Sequence, residues 1–114
     1  MTCIHINENN IDIVEDTTRH LYVTVRDQNG NPEDLTGYEA YFVMKMCEKE
    51  IVRKCDIVEN EISTIIQPSD TIDVNQMRYE IRILKDKEIY EIIRGKINVK
   101  KSIYPFLSAP EVTL

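Results

Sequence analysis

Apolar residues recur at every second position through most of this chain, in short runs broken by turn formers, and a period of two confines it to strands. The clearest runs are "HLYVTVRD", which puts Leu21, Val23 and Val25 on one face, and "YEAYFVMKM". In the second, Ala40, Phe42, Met44 and Met46 point inward while Tyr41, Val43 and Lys45 point outward. Residues 11–14 supply a short first strand, extended by residues 3–6. "EIVRKCDIV" and "EISTIIQ" read as weaker strands, and "MRYEIRILKDKEIYEIIRGKINVKK" as a closing hairpin that turns at 86–88. There Tyr79, Ile81 and Ile83 are expected to oppose Ile93, Ile97 and Val99. Only "PSDTIDVNQ" invites a helical turn, capped by Ser69 or Asp70. About seven strands at this spacing predict an all-β fold, an antiparallel sandwich.

A chain of 114 residues supports one domain. At that length folding buries somewhat under ~70% of the unfolded surface, enough for a core without metal or disulfide staples. A formal net charge of -6 argues against nucleic acid or an anionic membrane as partner. The longest wholly apolar run, 40–44, is too short to span a bilayer, so no membrane insertion is expected. "MTCIHINENN" lacks the basic start and apolar stretch of a secretory signal, which predicts a protein made in the cytoplasm. Cys3, Cys47 and Cys55 are odd in number and lack CxxC spacing, which favours reduced thiols over a disulfide framework.

Between the two clearest strands lies "RDQNGNPEDLTGYEAYFVMK", where Leu35 stands alone between Asp34 and Thr36. Asp27 to Gly30 supply a tight turn, and Pro32 stops strand pairing before the chain crosses to a second sheet. Such a crossover needs one apolar anchor, so Leu35 is expected in the core, with Gly37 freeing the backbone to enter the next strand. Gly95 interrupts the last strand, a sign of a bulge or of another backbone passing close by.

These residues resemble the immunoglobulin-like N-terminal domain of phage baseplate upper proteins and related tail or fibre proteins. The resemblance runs over roughly residues 11–103 and lies in an acidic-Thr entry at Asp16 and Thr17, a strand, a D-x-x-G turn and "DLTG". Asp27, Gly30, Pro32, Asp34, Leu35, Thr36 and Gly37 occupy the matching places, with Tyr79 and Gly95 in the closing hairpin. It implies an immunoglobulin-like β-sandwich and a structural role in a virion, as a tail or baseplate component bound to other virion proteins. A free-standing copy of such a domain also fits a capsid surface decoration protein.

No catalytic signature competes with that reading. His5 and His20 are isolated, and G-x-S-x-G, HExxH and Gly-rich phosphate loops are missing from the sequence, so no enzyme activity and no cofactor is expected. Asp27, Asn29 and Asn31 imitate the start of a calcium loop, but Tyr38 stands where a bidentate glutamate belongs, so a plain turn is expected and no metal. Asp70 and Asp73 read as a solvated turn. Six tyrosines make a small carbohydrate-binding module the alternative, weakened by the absence of tryptophan.

Two contact surfaces are expected. Outward-facing Tyr41 and Val43, with Tyr22 on an adjoining strand, form a face for another subunit or a second copy. Pro105 and Pro110 keep residues 104–114 from ladder pairing, so the sandwich is assigned to 1–103 and the remainder to an extended arm. Tyr104, Phe106, Leu107, Val112 and Leu114 make that arm too apolar for a solvated linker and suited to docking.

Overall fold

The computed structural model describes residues 7–101, with the backbone alone for Asn7 and Glu8. Eight strands follow in chain order: β1 (Asn7–Glu8), β2 (Ile11–Val14), β3 (Arg19–Thr24), β4 (Glu39–Met46), β5 (Lys49–Val58), β6 (Glu61–Ile66), β7 (Gln76–Lys85) and β8 (Glu88–Lys100). They form one mixed sheet in the order β1-β8-β7-β4-β5-β6-β3, with β2 continuing β1 along β8. The result is all-β and nearly barrel-shaped.

The corner is made by β5. Its residues from Lys49 to Cys55 pair with β4, whereas Asp56, Ile57 and Val58 pair with β6. Changing partners partway along a strand turns the sheet on itself. The inward faces then meet as one core, in which Phe42, Met44, Ile62, Ile66, Ile81, Ile83 and Ile97 are fully buried. Phe42 and Tyr79 pack edge to face, their ring centroids 5.9 Å apart.

Two connections close the ends of this core. From β3 the chain crosses to β4 through residues 25–38, and Leu35 on that crossover is 3% exposed. Near the opposite end, Pro68–Asp70 forms a single helical turn, followed by buried Thr71 and Val74. The Thr71 hydroxyl accepts a hydrogen bond from the Asp16 amide at 2.9 Å, which ties this connection to the β2–β3 turn.

Several expectations change. The sheet is not wholly antiparallel, because β1 and β2 both run parallel to β8. Side chains alternate with a period of two whichever way the neighbouring strand runs, so the pattern could not carry direction. The two segments read as weak strands are full strands, β5 and β6. In the closing hairpin Tyr79 stands opposite Gly95 and Ile83 opposite Tyr90, while Ile97 faces Met77. A bulge at Ile92, between the Ile81–Ile93 and Arg82–Glu91 pairs, shifts the register.

Gly95 marks the close approach that its position suggests. A Cβ there would lie 2.2 Å from the Asn9 carbonyl oxygen, where the N-terminal strand passes between β1 and β2. The same oxygen accepts a hydrogen bond from the Tyr79 hydroxyl. Replacing Gly95 with alanine should push the N-terminal strand off β8 and destabilise the domain by about 1 to 3 kcal/mol. Leu35→Ala should cost about 2 to 4 kcal/mol through lost burial and the cavity left behind. Denaturant melts check both, and a change under ~0.5 kcal/mol would remove the corresponding packing argument.

Candidate functional site

The motif residues that carry the family resemblance build turns. Asp27 Oδ1 accepts hydrogen bonds from the amides of Asn29 and Asn31, both at 2.9 Å, and Gly30 follows at φ 84°. The Asp27 amide donates to the Asn31 carbonyl at 2.8 Å, closing a small loop in which Arg26 bridges Pro32. Pro32 does not itself stop the pairing: it lies within this short bridge, its missing N–H unneeded there, and the Glu33 amide beyond it donates to the Val25 carbonyl at 3.0 Å.

In "DLTG" the Asp34 carboxylate accepts from the Thr36 amide at 2.9 Å, and hydrogen bonding to Thr36 holds that carboxyl below its ordinary value. The Tyr38 amide donates to the Leu35 carbonyl at 3.0 Å across Gly37, which sits at φ 83°. Each polar group stabilises the turn that drives Leu35 inward. Asp27, Gly30, Pro32, Asp34, Thr36 and Gly37 are brought together as scaffold, and Tyr79 and Gly95 hold the N-terminal strand.

The contact residues are distributed differently from expectation. Tyr41 and Val43 do face outward on β4, with Val43 directly opposite Val52 of β5. The Tyr41 hydroxyl donates to Glu39 Oε2 at 3.0 Å, and that bond pushes its pKa up. Tyr22 does not join them: β3 and β4 are separated by β5 and β6, so Tyr22, 66% exposed, stands on another part of the surface. Tyr104, Phe106, Leu107, Val112 and Leu114, and the boundary drawn at 103, lie outside the described residues.

Between β3 and the β1/β2 edge the barrel has an open seam. Among the described residues neither edge has a ladder partner on this side, and Arg19 Nη1 reaches across to the Asp12 carbonyl at 3.3 Å. A groove of about 560 Å³ runs there, with half-buried Leu21 and Val23 on one bank, Ile11 on the other, and Tyr79, Ile81 and Ile93 also lining it. Unpaired backbone beside apolar side chains is the arrangement that accepts an added strand.

Sequence reading missed one buried ion pair. Arg53 lies on the inward side of β5, opposite Phe42, and its guanidinium grips both oxygens of Asp70 at 2.8 and 3.1 Å. Asp70 Oδ2 also accepts the Gln67 amide at 2.7 Å. Asp70 is 4% exposed and therefore no part of a solvated turn, although Asp73 is exposed. The only available signal was an arginine at an inward phase of a strand. Cys47 sits at the β4–β5 turn while Cys55 is buried opposite Ala40, so the two do not face each other. Burial pushes the Cys55 thiol up.

Among the described residues no three His, Cys, Asp or Glu side chains gather as a metal site, and no helix is long and apolar enough to cross a membrane. Neither a known protein family nor a curated protein matches the sequence. In structure the chain is similar to the N-terminal domain of phage TP901-1 ORF48, with a TM-score of 0.57 and 10% sequence identity. The match covers 85% of this chain and 98% of that one, which establishes a shared fold.

The Arg53–Asp70 pair gives stability a defined pH dependence. Burial alone would raise the Asp70 carboxyl, but the Arg53 and Gln67 hydrogen bonds and the nearby Lys49 charge outweigh it and hold the group below its ordinary value. A depressed folded-state pKa adds stability above the unfolded value of about 3.9, and that stability is lost as pH falls through the folded value. Asp70→Asn should lower stability at neutral pH by about 2 to 4 kcal/mol, since Arg53 loses its counter-charge. It should also flatten the decline below about pH 4. Chemical melts across that range would show an unchanged acid limb if Asp70 were not the group responsible.

Proposed function

We propose that this chain is a non-catalytic structural protein of a phage or phage-derived particle, acting through contacts with other virion proteins and with itself. The observation that carries the reading is the fold, which spans nearly the whole of a phage protein domain. The "DLTG" crossover supports it independently, as do Tyr79 and Gly95, because their geometry here supplies a physical reason for the sequence pattern that resembles baseplate domains. Within this reading the fold is an opened immunoglobulin-like sandwich hinged at β5, used in the virion at a tail, baseplate or other structural position.

The working surface is the seam. An extended segment laid between β3 and β1/β2 would gain main-chain hydrogen bonds from two edges and bury its alternate side chains against Leu21, Val23 and Ile93. Residues 104–114 have the composition of such a segment, so the arm of one copy docks on an open edge of its neighbour. Tyr41 and Val43 provide a second contact on the outer face of β4.

Mass spectrometry of purified particles should find the protein at a stoichiometry of one per structural neighbour or a simple multiple of it. A chain missing Ser108 to Leu114 should melt as the full chain does yet fail to associate. Absence from particles would overturn the virion reading, whereas a large fall in melting temperature on truncation would overturn only the docking arm.

A further inference from the structure

On the outer face of β4, β7 and β8, strand register sets charges in rows. Val43, Glu80 and Arg94 stand side by side in one row, and Tyr41, Arg82 and Glu91 in the next. In both rows the charges on β7 and β8 are opposite in sign, the arrangement that stabilises cross-strand neighbours. Ion pairs between Arg82 and Glu80 at 3.0 Å, and between Arg94 and Glu91 at 2.8 Å, neutralise them further.

The third row breaks this rule. Lys45 lies directly opposite Arg78, and Arg78 directly opposite Lys96. All three are exposed, and among the described residues none of these side chains enters an ion pair or hydrogen bond. Like charges in direct opposition repel. With strands about 4.8 Å apart, the three cations span roughly 10 Å. They line an open trough of about 920 Å³ whose charged residues are five cations and two carboxylates, on a chain of net charge -6.

We propose that the Lys45–Arg78–Lys96 row is a docking site for an acidic segment of another protein chain, one presenting two or three carboxylates. Carboxylates set over this row satisfy three unpaired cations and remove their mutual repulsion in the same step. Val43 in the adjoining row and Val52 beside it offer apolar contact to the same segment. That apolar flank favours a polypeptide over a bare polyphosphate, and the overall negative charge works against a long nucleic acid. The site is separate from the seam and does not depend on the virion reading.

The test uses the full chain with three probes: a labelled glutamate-rich peptide containing valine, a labelled single-stranded oligonucleotide, and inorganic tripolyphosphate. The peptide should bind, weakening at least tenfold between about 50 and 300 mM salt, with the other probes weaker. Arg78→Glu should lose at least tenfold in peptide affinity while its melting temperature holds or rises, since a repulsion is removed. Lys96→Gln should show a smaller loss, and Arg82→Gln, whose charge is already paired, a change within about twofold. Failure of the peptide to bind, or equal binding by wild type and both Arg78→Glu and Lys96→Gln, would overturn the site. Tighter binding of the oligonucleotide or tripolyphosphate, lost on the same substitutions, would overturn the protein partner.

Discussion

The contact at Gly95 holds the ends of the domain together. The N-terminal strand keeps one register along β8 before and after its interruption, with Asn7 beside Ile93 and Ile11 beside Ile97. At the interruption the Asn9 backbone presses against Gly95, and the Tyr79 hydroxyl caps the Asn9 carbonyl from the core side. Pressed against Gly95, that carbonyl is partly shielded from water, and the Tyr79 donor satisfies it. Because this point holds, β8 is an interior strand, Ile11 and Ile13 reach the core, and the free side of β1/β2 becomes one bank of the seam. Asn10, whose Oδ1 accepts the Lys96 amide at 3.0 Å, is placed at the end of the cationic row by the same contact.

The two ends of the core are closed by different physics. At one end the crossover folds on local hydrogen bonds from Asp27 and Asp34 and inserts Leu35, an apolar plug. At the other, Arg53 crosses the inner face to Asp70, and bidentate geometry offsets the desolvation of both charges. Burial of a pair like this stabilises little against an apolar replacement, yet it fixes where the β6–β7 connection lies. With both ends closed, the side seam is left as the place where apolar residues and unpaired backbone remain open together.

The turn scaffold was legible because turn chemistry is local: Asp, Gly and Pro act on amides two to four residues away. Leu35 could be assigned to the core on that basis alone. The interaction surfaces were not legible in the same way. Tyr22 was grouped with Tyr41 and Val43 since adjoining runs in sequence are commonly adjoining strands, but here two further strands intervene. Lys45, Arg78 and Lys96 carry no sequence signal as a group, each being an ordinary solvent-facing residue of its strand. Only register brings them into line.

The sequence by itself determined that the chain is all-β, which residues of β4 and β7 face inward, where the tight turns fall, and that Gly95 marks either a bulge or a close backbone approach, a choice the structure made. These follow from side-chain alternation and from backbone conformations that individual residues allow or forbid. Tertiary structure decided the rest: that the first strand runs parallel to the last, that β5 serves two partners, that Ile92 forms a bulge, and that an inward arginine meets Asp70. Strand direction, partner and register are settled by contacts between distant segments, and a period of two reads identically for every choice among them.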